Sequence, residues 1–483
     1  MRTGKEYLES LADGRCVYVD GERVADVASH PAFQGVAVSV GALFDRAGED
    51  DMTFLSPVTG QSANRAFMIP RSIEDLSVRR QAITTWAHQS RGFLGRSPDH
   101  VAGFLAGFAS GANLFNRNGR DFSENVTRFY HRLLTEDLFV SYVIIPPQVD
   151  RSTTASGWDG ELIQVGVAEE KPDGFVVRGS QMLGTGSSVS DYLFVSCIKP
   201  LTPADERYAL SFVLPLSTPG LKLYCRRPYA VGQPSRYDYP LSTQFDESDA
   251  LVVFDDVFVP WENVFAYRDV DMVRSQFFQT AAHVLGNTQS QIRLVEKMKF
   301  LIGIARKIAA VNGIDQMPPV HEKLGDLASL ASIVEGMVLA AETTATIDQF
   351  GVARPNPRFL YGSMGLQSEI YPRVLHLIRE LVGGGVIQLP SSYRELTNPE
   401  TRPDMDRYIQ SPGHSSVERI KLFKLAWDVI GSEFAGRHHQ YEMFYAGAPF
   451  VAKGYAYRNY GYEEALDSVE SFLASYDLPD SGP

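Results

Sequence analysis

The interval at which apolar residues recur changes twice along this chain of 483 residues, and this limits the folds open to it. Between residues 72 and 138 apolar residues recur every three or four positions, the pattern of amphipathic helices. From 148 to 267 the pattern becomes that of strands rich in Val, Phe, Tyr and Leu, and a Lys-Pro-Asp-Gly turn joins the first two. Helical spacing returns from about residue 273.

This order predicts an α+β protein rather than a doubly wound sheet, because strands and helices do not alternate. We predict a mostly helical domain at 1–147, an antiparallel β domain at 148–270, and a helical bundle with a tail at 271–483. The chain lacks G-x-G-x-x-G after a strand, G-x-x-x-x-G-K-[ST] and G-x-S-x-G, which argues against dinucleotide-binding, nucleotide-kinase and hydrolase folds. The glycine triplet at 383–385 predicts a helix stop with a tight turn.

The composition of the chain limits the classes of molecule that it is expected to bind. A formal net charge of −13 argues against general binding to nucleic acid or an anionic membrane. The first residues contain no signal-peptide core, and no uninterrupted apolar stretch approaches a membrane span. We therefore expect a cytoplasmic protein with neither nucleic acid nor membrane as partner. Cys16, Cys197 and Cys225 lie far apart, so disulfides and cysteine-rich metal sites are not expected.

The stretch LGRSPDH predicts the start of a helix that faces an anion. Ser97 is a good N-cap, Pro98 suits the first helical position, and Asp99 complements the positive end of the helix dipole. Arg96 and His100 flank this start, where free backbone N–H groups favour a negative charge. A carboxylate or phenolate would fit; the alternative is a solvated helix start with two surface side chains.

Long helical patterns dominate the C-terminal part, at 289–311, 322–350 and 415–447, with a polar linker at 392–408. Faces of such bundle helices commonly pack against other subunits. Glu433 and Arg437 are four residues apart on the third helix, which predicts a structural ion pair there rather than a metal site.

Seven stretches spread over nearly the whole chain resemble one known family: TGKEYLESL, HPAF, GRSPD, PPQVDR, PLSTQFDESDALVVFDDVFVPWENVF, GGVIQLPSS and IKLFKLAWDVIGSEFAGRHHQYE. Its members are the oxygenase components of two-component, reduced-flavin-dependent aromatic monooxygenases, typified by 4-hydroxyphenylacetate 3-monooxygenase. Only the combination is specific.

The resemblance implies an acyl-CoA-dehydrogenase-like fold with domains in the predicted order, usually assembled as a homotetramer. It also implies FAD, delivered as FADH2 by a separate NAD(P)H:flavin reductase, which fits the missing Gly-rich loop. In this family the reduced flavin and O2 form a C4a-hydroperoxide. The implied reaction is hydroxylation of a phenolic or aromatic substrate, ortho to its hydroxyl.

Matching the family's motifs position by position yields candidate site residues. The substrate positions are Arg96, His100, Tyr142, Cys197 and Ile198. The flavin positions are Tyr142, Gln148, Val149, Asp150, Arg151 and Thr185, with a weaker match at Ala448 and Pro449 within 447–451.

One departure concerns the substrate pair. The phenol hydroxylases of this family carry Tyr at the position of His100 and His at the position of Tyr142. The exchanged pair can meet across the pocket with the same combined hydrogen-bonding capacity; alternatively, the substrate or its orientation differs.

The candidate catalytic residues are Arg96, His100 and Tyr142. Arg96 is expected to supply a fixed positive charge, because a guanidinium is always protonated. A neutral His100 is expected to accept the phenolic proton, and Tyr142 to donate a hydrogen bond to the substrate oxygen or the flavin peroxide.

Other interpretations stay open. The chain is alternatively a dehalogenating or N-hydroxylating member of the family, or an acyl-CoA dehydratase- or dehydrogenase-like flavoprotein on this scaffold. The dehydratase needs an iron–sulfur cluster, for which the isolated cysteines are unsuited. A third alternative is a flavin-binding scaffold without catalysis. Locally, the segment at 148–151 suits an interdomain salt bridge, and Thr185 suits a plain turn.

Overall fold

A computed structural model describes residues 1–150, 152–158, 161–229, 232, 235–445 and 447–477. Arg151, one of the candidate flavin residues, lies outside the described residues. The α-helices are α1 Gly4–Ser10, α2 Gln34–Ala47, α3 Ile73–Gln89, α4 Asp99–Ser110, α5 Ser123–Glu136, α6 Ser242–Phe245, α7 Val270–Gln279, α8 Ala282–Val311, α9 Pro318–Thr343, α10 Pro357–Val382, α11 Arg394–Thr397, α12 Arg402–Tyr408, α13 Ser416–Ile430, α14 Glu433–Met443, α15 Pro449–Arg458 and α16 Tyr462–Leu473.

The strands are β1 Cys16–Val19, β2 Glu22–Arg23, β3 Thr53–Leu55, β4 Ser62–Asn64, β5 Asn116–Arg117, β6 Arg120–Asp121, β7 Val140–Val143, β8 Gly166–Lys171, β9 Gly174–Gln181, β10 Tyr192–Val195, β11 Leu210–Pro215, β12 Leu221–Cys225, β13 Ala250–Pro260, β14 Val264–Tyr267, β15 Thr346–Ile347 and β16 Ala353–Arg354. The predicted Lys-Pro-Asp-Gly turn joins β8 to β9.

Two sheets form the middle of the molecule, and strands from the first 147 residues complete both. The larger sheet has the order β2-β1-β12-β13-β9-β8, and the smaller has the order β14-β11-β10-β7. Strands within 148–270 pair antiparallel, as predicted, whereas β1 with β12 and β7 with β10 are parallel. In each sheet, a strand from the first 147 residues pairs with a strand that lies far from it in the sequence. The local spacing of apolar residues does not predict such distant pairing.

The C-terminal helices depart from the predicted segments. The helix expected over 415–447 divides into α13 and α14 between Ile430 and Glu433, and the one expected over 322–350 ends at Thr343. The linker at 392–408 contains α11 and α12. At the glycine triplet α10 stops as predicted, because Gly383 adopts a positive φ of 58°.

One helix has the length and the apolar content of a membrane span, although charged residues interrupt its apolar sequence. By length and composition α9 could cross a membrane, with a mean hydropathy of 1.5 over its best window, of which 22% is buried. It packs against α8 and α10 as part of the bundle. A single helix of this kind is weak evidence for a span.

Close packing of α4 against α8 fixes the position of the candidate site. A Cβ atom on Gly107 would lie 2.2 Å from the backbone N of Ala282, so only glycine permits this approach. A Cβ atom on Gly103 of α4 would lie 3.1 Å from the backbone of Gly286 of α8. The start of α4, with His100, is thereby held near Gln289 in the first part of α8.

Candidate active site

A cavity of about 1990 Å³ lies where the helical and β parts of the chain meet. Its wall includes residues of α4, β7, α7, α8, α14 and α15 and of the loop after β9. Typical sites for one drug-sized ligand have volumes of about 300–1,000 Å³. This cavity therefore has room for a large cofactor and a small substrate together.

Arg96 lies in the wall of this cavity, just before α4. Its backbone N–H donates to Glu247 Oε1 at 2.7 Å, and its Nη1 donates to the Tyr445 hydroxyl at 2.9 Å. The guanidinium carbon is 5.2, 5.4 and 4.6 Å from the ring centroids of Tyr142, Tyr441 and Tyr445. Among the described residues no carboxylate pairs with this guanidinium, so aromatic faces surround a charge without a counter-ion.

The start of α4 differs in detail from the prediction. The helix begins at Asp99 with Pro98 in the cap position, and no side chain caps it. Ser97 was expected to be the cap, but its hydroxyl donates to Asp99 Oδ1 at 2.5 Å. The Ser97 oxygen accepts from Gln289 Nε2 at 3.1 Å instead of from a backbone N–H at the start of α4.

His100 is buried behind Arg96, and its ring is not part of the cavity wall. Burial, together with the positive charge of Arg96, lowers the pKa of His100 well below its usual value. His100 is therefore neutral. Its Nε2 lies 2.6 Å from Arg96 Nη1, and its Nδ1 lies 3.2 Å from Gln289 Oε1.

Tyr142 on β7 meets His100, as expected for the exchanged pair. The two ring centroids are 5.4 Å apart, and Tyr142 lines the cavity. Burial raises the pKa of Tyr142 and outweighs the opposing effect of Arg96. Its hydroxyl is therefore protonated at neutral pH and is a hydrogen-bond donor.

The other candidate residues divide into those that line the cavity and those that do not. Cavity-lining positions are Gln148, Asp150, Thr185, Ile198 and Ala448. Val149 is 59% exposed, Cys197 is buried with its Sγ 3.3 Å from Gln164 Nε2, and Pro449 begins α15 without being part of the wall. The Asp150 carboxylate accepts hydrogen bonds from Ser152 and Thr153 in its own loop.

Asp249 connects Thr185 to the C-terminal helices. The Thr185 hydroxyl donates to Asp249 Oδ1 at 2.6 Å, and Arg437 of α14 donates to both carboxylate oxygens at 2.8 and 3.0 Å. Burial alone would raise the pKa of Asp249, but Arg437 and Arg226 hold that pKa well below its usual range. The predicted pair of Glu433 with Arg437 is therefore wrong, because Arg437 turns inward to the buried carboxylate.

Sequence reasoning missed several residues of the cavity region. Tyr441 and Tyr445 are four positions apart, a spacing that would have placed both on one helix face. Gln289 carries no local signal. Neither do three arginines of the cavity wall: Arg274, Arg354 and Arg458.

Comparison with known proteins identifies the family. One family model, described as the N-terminal part of 4-hydroxyphenylacetate 3-hydroxylase, matches residues 3–266, and the C-terminal model matches residues 273–474. The chain belongs to the 4-hydroxyphenylacetate 3-hydroxylase family. The predicted family and the prediction of a flavin-dependent monooxygenase are thereby confirmed.

Individual family members are similar over almost their whole length. The chain is 33% identical to the 4-hydroxyphenylacetate 3-monooxygenase oxygenase component of Geobacillus sp. (strain PA-9), over 96% of this chain and 94% of the relative. It is 34% identical to the 4-nitrophenol 2-monooxygenase oxygenase component of Rhodococcus sp, over 99% and 92%. A crystal structure of a 4-hydroxyphenylacetate 3-monooxygenase oxygenase component with FAD and 4-hydroxyphenylacetate has a TM-score of 0.93 at 32% identity, covering 98% of this chain and 99% of that one.

The predicted α+β, acyl-CoA-dehydrogenase-like fold is confirmed as well. An archaeal 4-hydroxybutyryl-CoA dehydratase from N. maritimus has a TM-score of 0.88 at 21% identity, over 100% of this chain and 96% of that one, and shares the fold alone. In the described part of this chain, no three His, Cys, Asp or Glu side chains are grouped to hold a metal ion.

The inward salt bridge of Arg437 gives a stability prediction. Arg437→Gln is expected to lower the free energy of unfolding by about 3–5 kcal/mol, because Asp249 stays buried with one cation fewer. Glu433→Gln and Arg227→Gln are matched controls: this pair is 57% and 75% exposed, so little change is expected. Urea denaturation measures all three, and equal losses in Arg437→Gln and Glu433→Gln would contradict the assignment.

Proposed function

We propose that this chain hydroxylates a phenol ortho to its hydroxyl group, using O2 and FADH2 from a separate NAD(P)H:flavin reductase. The observation that carries the proposal is the guanidinium of Arg96, held at the cavity wall among three tyrosine rings with no carboxylate partner among the described residues. A charge removed from water without a counter-ion is unfavourable, so a bound anion would stabilise this site.

A phenolate fits this site. Aromatic walls accommodate a ring, and among the described residues the Nε and Nη2 atoms of Arg96 make no hydrogen bond. Binding to these donors would favour the phenolate form, which is more electron-rich than the phenol and is attacked more readily ortho to its oxygen. Tyr142, being protonated, would donate a further hydrogen bond to this oxygen.

The cavity also fits the flavin. Arg274 and Arg458 make no ion pair among the described residues, and Arg354 has only a 3.9 Å contact to Asp348. They surround the rings of Tyr361 and Tyr455, whose centroids are 5.4 Å apart. We propose that these arginines hold the diphosphate of FAD, because guanidinium groups pair well with phosphate oxygens.

When bound, the reduced flavin supplies the activation of O2. The residues of this chain orient the ring, hold its oxygen ionised and exclude water. Gln148, Asp150, Thr185 and Ala448, which line the cavity, are proposed flavin contacts. The proton-acceptor role expected for His100 would require release of Arg96, because Nε2 already faces Nη1.

We further propose a homotetramer. No residue of α16 is buried, although Leu466, Val469 and Leu473 form one apolar face and are each more than half exposed. An apolar helical face of this kind is unfavourable in water. Ile333 and Leu339 of α9 are 42% and 40% exposed, and further copies of the chain would cover these side chains and the apolar face of α16.

Arg96 gives the first functional test. Arg96→Met should lower the yield of hydroxylated phenol about 10²–10³-fold, because the charge that stabilises the phenolate is lost. Arg96→Lys should retain part of the yield. Single-turnover product analysis with pre-reduced FAD and O2 measures this, with Arg227→Met at an exposed position as control. Undiminished product from Arg96→Met would overturn the proposal.

The arginines around Tyr455 give a second test. Arg274→Gln and Arg458→Gln should each raise the dissociation constant of FAD roughly tenfold or more, since each removes a charge-assisted contact to phosphate. Riboflavin, which has no phosphate, should bind all variants alike, and Arg373→Gln on the surface is the control. Calorimetric titration compares them; equal losses for FAD and riboflavin would contradict the diphosphate assignment.

The assembly is tested by its mass in solution. Light scattering should give four times 53.5 kDa for the full chain and a smaller assembly for a chain ending at Gly461. Leu466→Ser with Val469→Ser should have the same effect as the truncation. A full-length monomer would overturn the proposed tetramer.

A further inference from the structure

A buried hydrogen-bond chain connects α8 to the guanidinium of Arg96. It begins at Gln289, whose Nε2 donates to Asp99 Oδ1 at 3.0 Å and to Ser97 Oγ at 3.1 Å. Burial raises the pKa of Asp99 to about 6, so this carboxyl group is ionised at neutral pH and only accepts hydrogen bonds. The amide nitrogen of Gln289 must therefore face Asp99, and its oxygen must point the other way.

The orientation of the Gln289 amide determines which ring nitrogen of His100 carries the proton. Gln289 Oε1 lies 3.2 Å from His100 Nδ1, closer than the Tyr445 hydroxyl at 3.4 Å, and because an amide oxygen only accepts, this contact places the hydrogen on Nδ1. In a neutral imidazole Nε2 is then a lone-pair acceptor, and it receives the Arg96 Nη1 donor at 2.6 Å. The other tautomer would place two acceptors together at Gln289 and two donors together at Arg96.

The last group of this hydrogen-bond chain is the guanidinium of Arg96, at the wall of the cavity. Nη1 is occupied by His100 and by the Tyr445 hydroxyl at 2.9 Å. A planar guanidinium fixed at one corner directs its remaining Nε and Nη2 donors in a defined direction. Without an acceptor at Nε2, the Tyr445 hydroxyl would be the remaining side-chain acceptor of Nη1 among the described residues, and the guanidinium would be held in one direction less firmly.

We propose that Gln289 is a positioning residue, which holds His100 in the Nδ1–H tautomer and thereby aims the guanidinium of Arg96 at a bound phenolate. The inference rests on the proposed function and deepens it, because His100 then acts as a hydrogen-bond acceptor for Arg96 rather than as the base. Gln289 does not line the cavity and would act only through His100 and Arg96.

The test uses 4-nitrophenol, whose phenol and phenolate forms absorb at different wavelengths, bound to the full chain with oxidised FAD so that no turnover occurs. Absorbance titration gives the pKa of the bound ligand. The unmodified protein should lower it by about one pH unit or more relative to free 4-nitrophenol, as an adjacent fixed cation does. Gln289→Leu should lose most of this lowering.

Two pairs of variants separate positioning from a structural effect. Gln291→Leu also removes a buried glutamine from α8, but one that contacts Ser363 and Gln367 rather than His100, so it should keep the lowered pKa. His100→Gln keeps an acceptor near the position of Nε2 and should retain the lowered pKa, whereas His100→Leu should lose it. If Gln289→Leu does not fold, the two His100 variants still test the positioning role.

The outcomes distinguish the inference from the proposed function. A lowered ligand pKa that survives in Gln289→Leu overturns the positioning role alone. Equal loss in His100→Gln and His100→Leu also overturns it, because His100 would then be required as an imidazole. Failure of the unmodified protein to bind 4-nitrophenol, or to lower its pKa, overturns the phenolate site at Arg96 and the inference with it.

Discussion

The arrangement of the site depends on the guanidinium of Arg96, which lies at the wall of a large cavity and has no carboxylate partner among the described residues. Arg96 is held by a neutral imidazole, a tyrosine hydroxyl and three aromatic faces. These groups fix its position without neutralising its charge. The positive charge is therefore available to a ligand. A protonated His100 would repel the guanidinium of Arg96, so the low pKa of that imidazole keeps the two side chains together.

Paired buried charges connect α8 and α14, two helices that contribute residues to this site. Glu442 of α14 accepts from Arg293 at 2.7 Å and from Lys297 at 2.8 Å, both on α8, and it is bonded to Gln367 of α10. These cations outweigh the effect of burial and lower the pKa of Glu442 to about 2. The contribution of this carboxylate to stability is therefore complete above its unfolded pKa, near 4.5, and is lost as the pH falls towards 2. Together with the pair of Arg437 and Asp249, this network holds α14 against α8, α10 and the residue before β13.

The sequence predicted those elements well that are determined by residues close together in the chain. The turn between β8 and β9 and the helix stop at Gly383 follow from residue types within a few positions. Predictions failed where a distant partner decides. Arg437 pairs with Asp249, 188 residues away in sequence, and not with Glu433 one turn away. The division of the last long helix before Glu433 and the parallel partners of β10 and β12 also arise from tertiary packing.

The sequence by itself determined the order of helical and β parts, the family, and the candidate pair of Arg96 and His100, because periodicity and short motifs are properties of neighbouring residues. Only the tertiary structure decided which atoms of that pair face each other. It brought Gln289 from α8, Tyr445 from beyond α14 and Tyr142 from β7 to the start of α4. The tautomer of a histidine and the direction of a guanidinium depend on such contacts, because a hydrogen bond is set by the donors and acceptors around it and not by the spacing of residues along the chain.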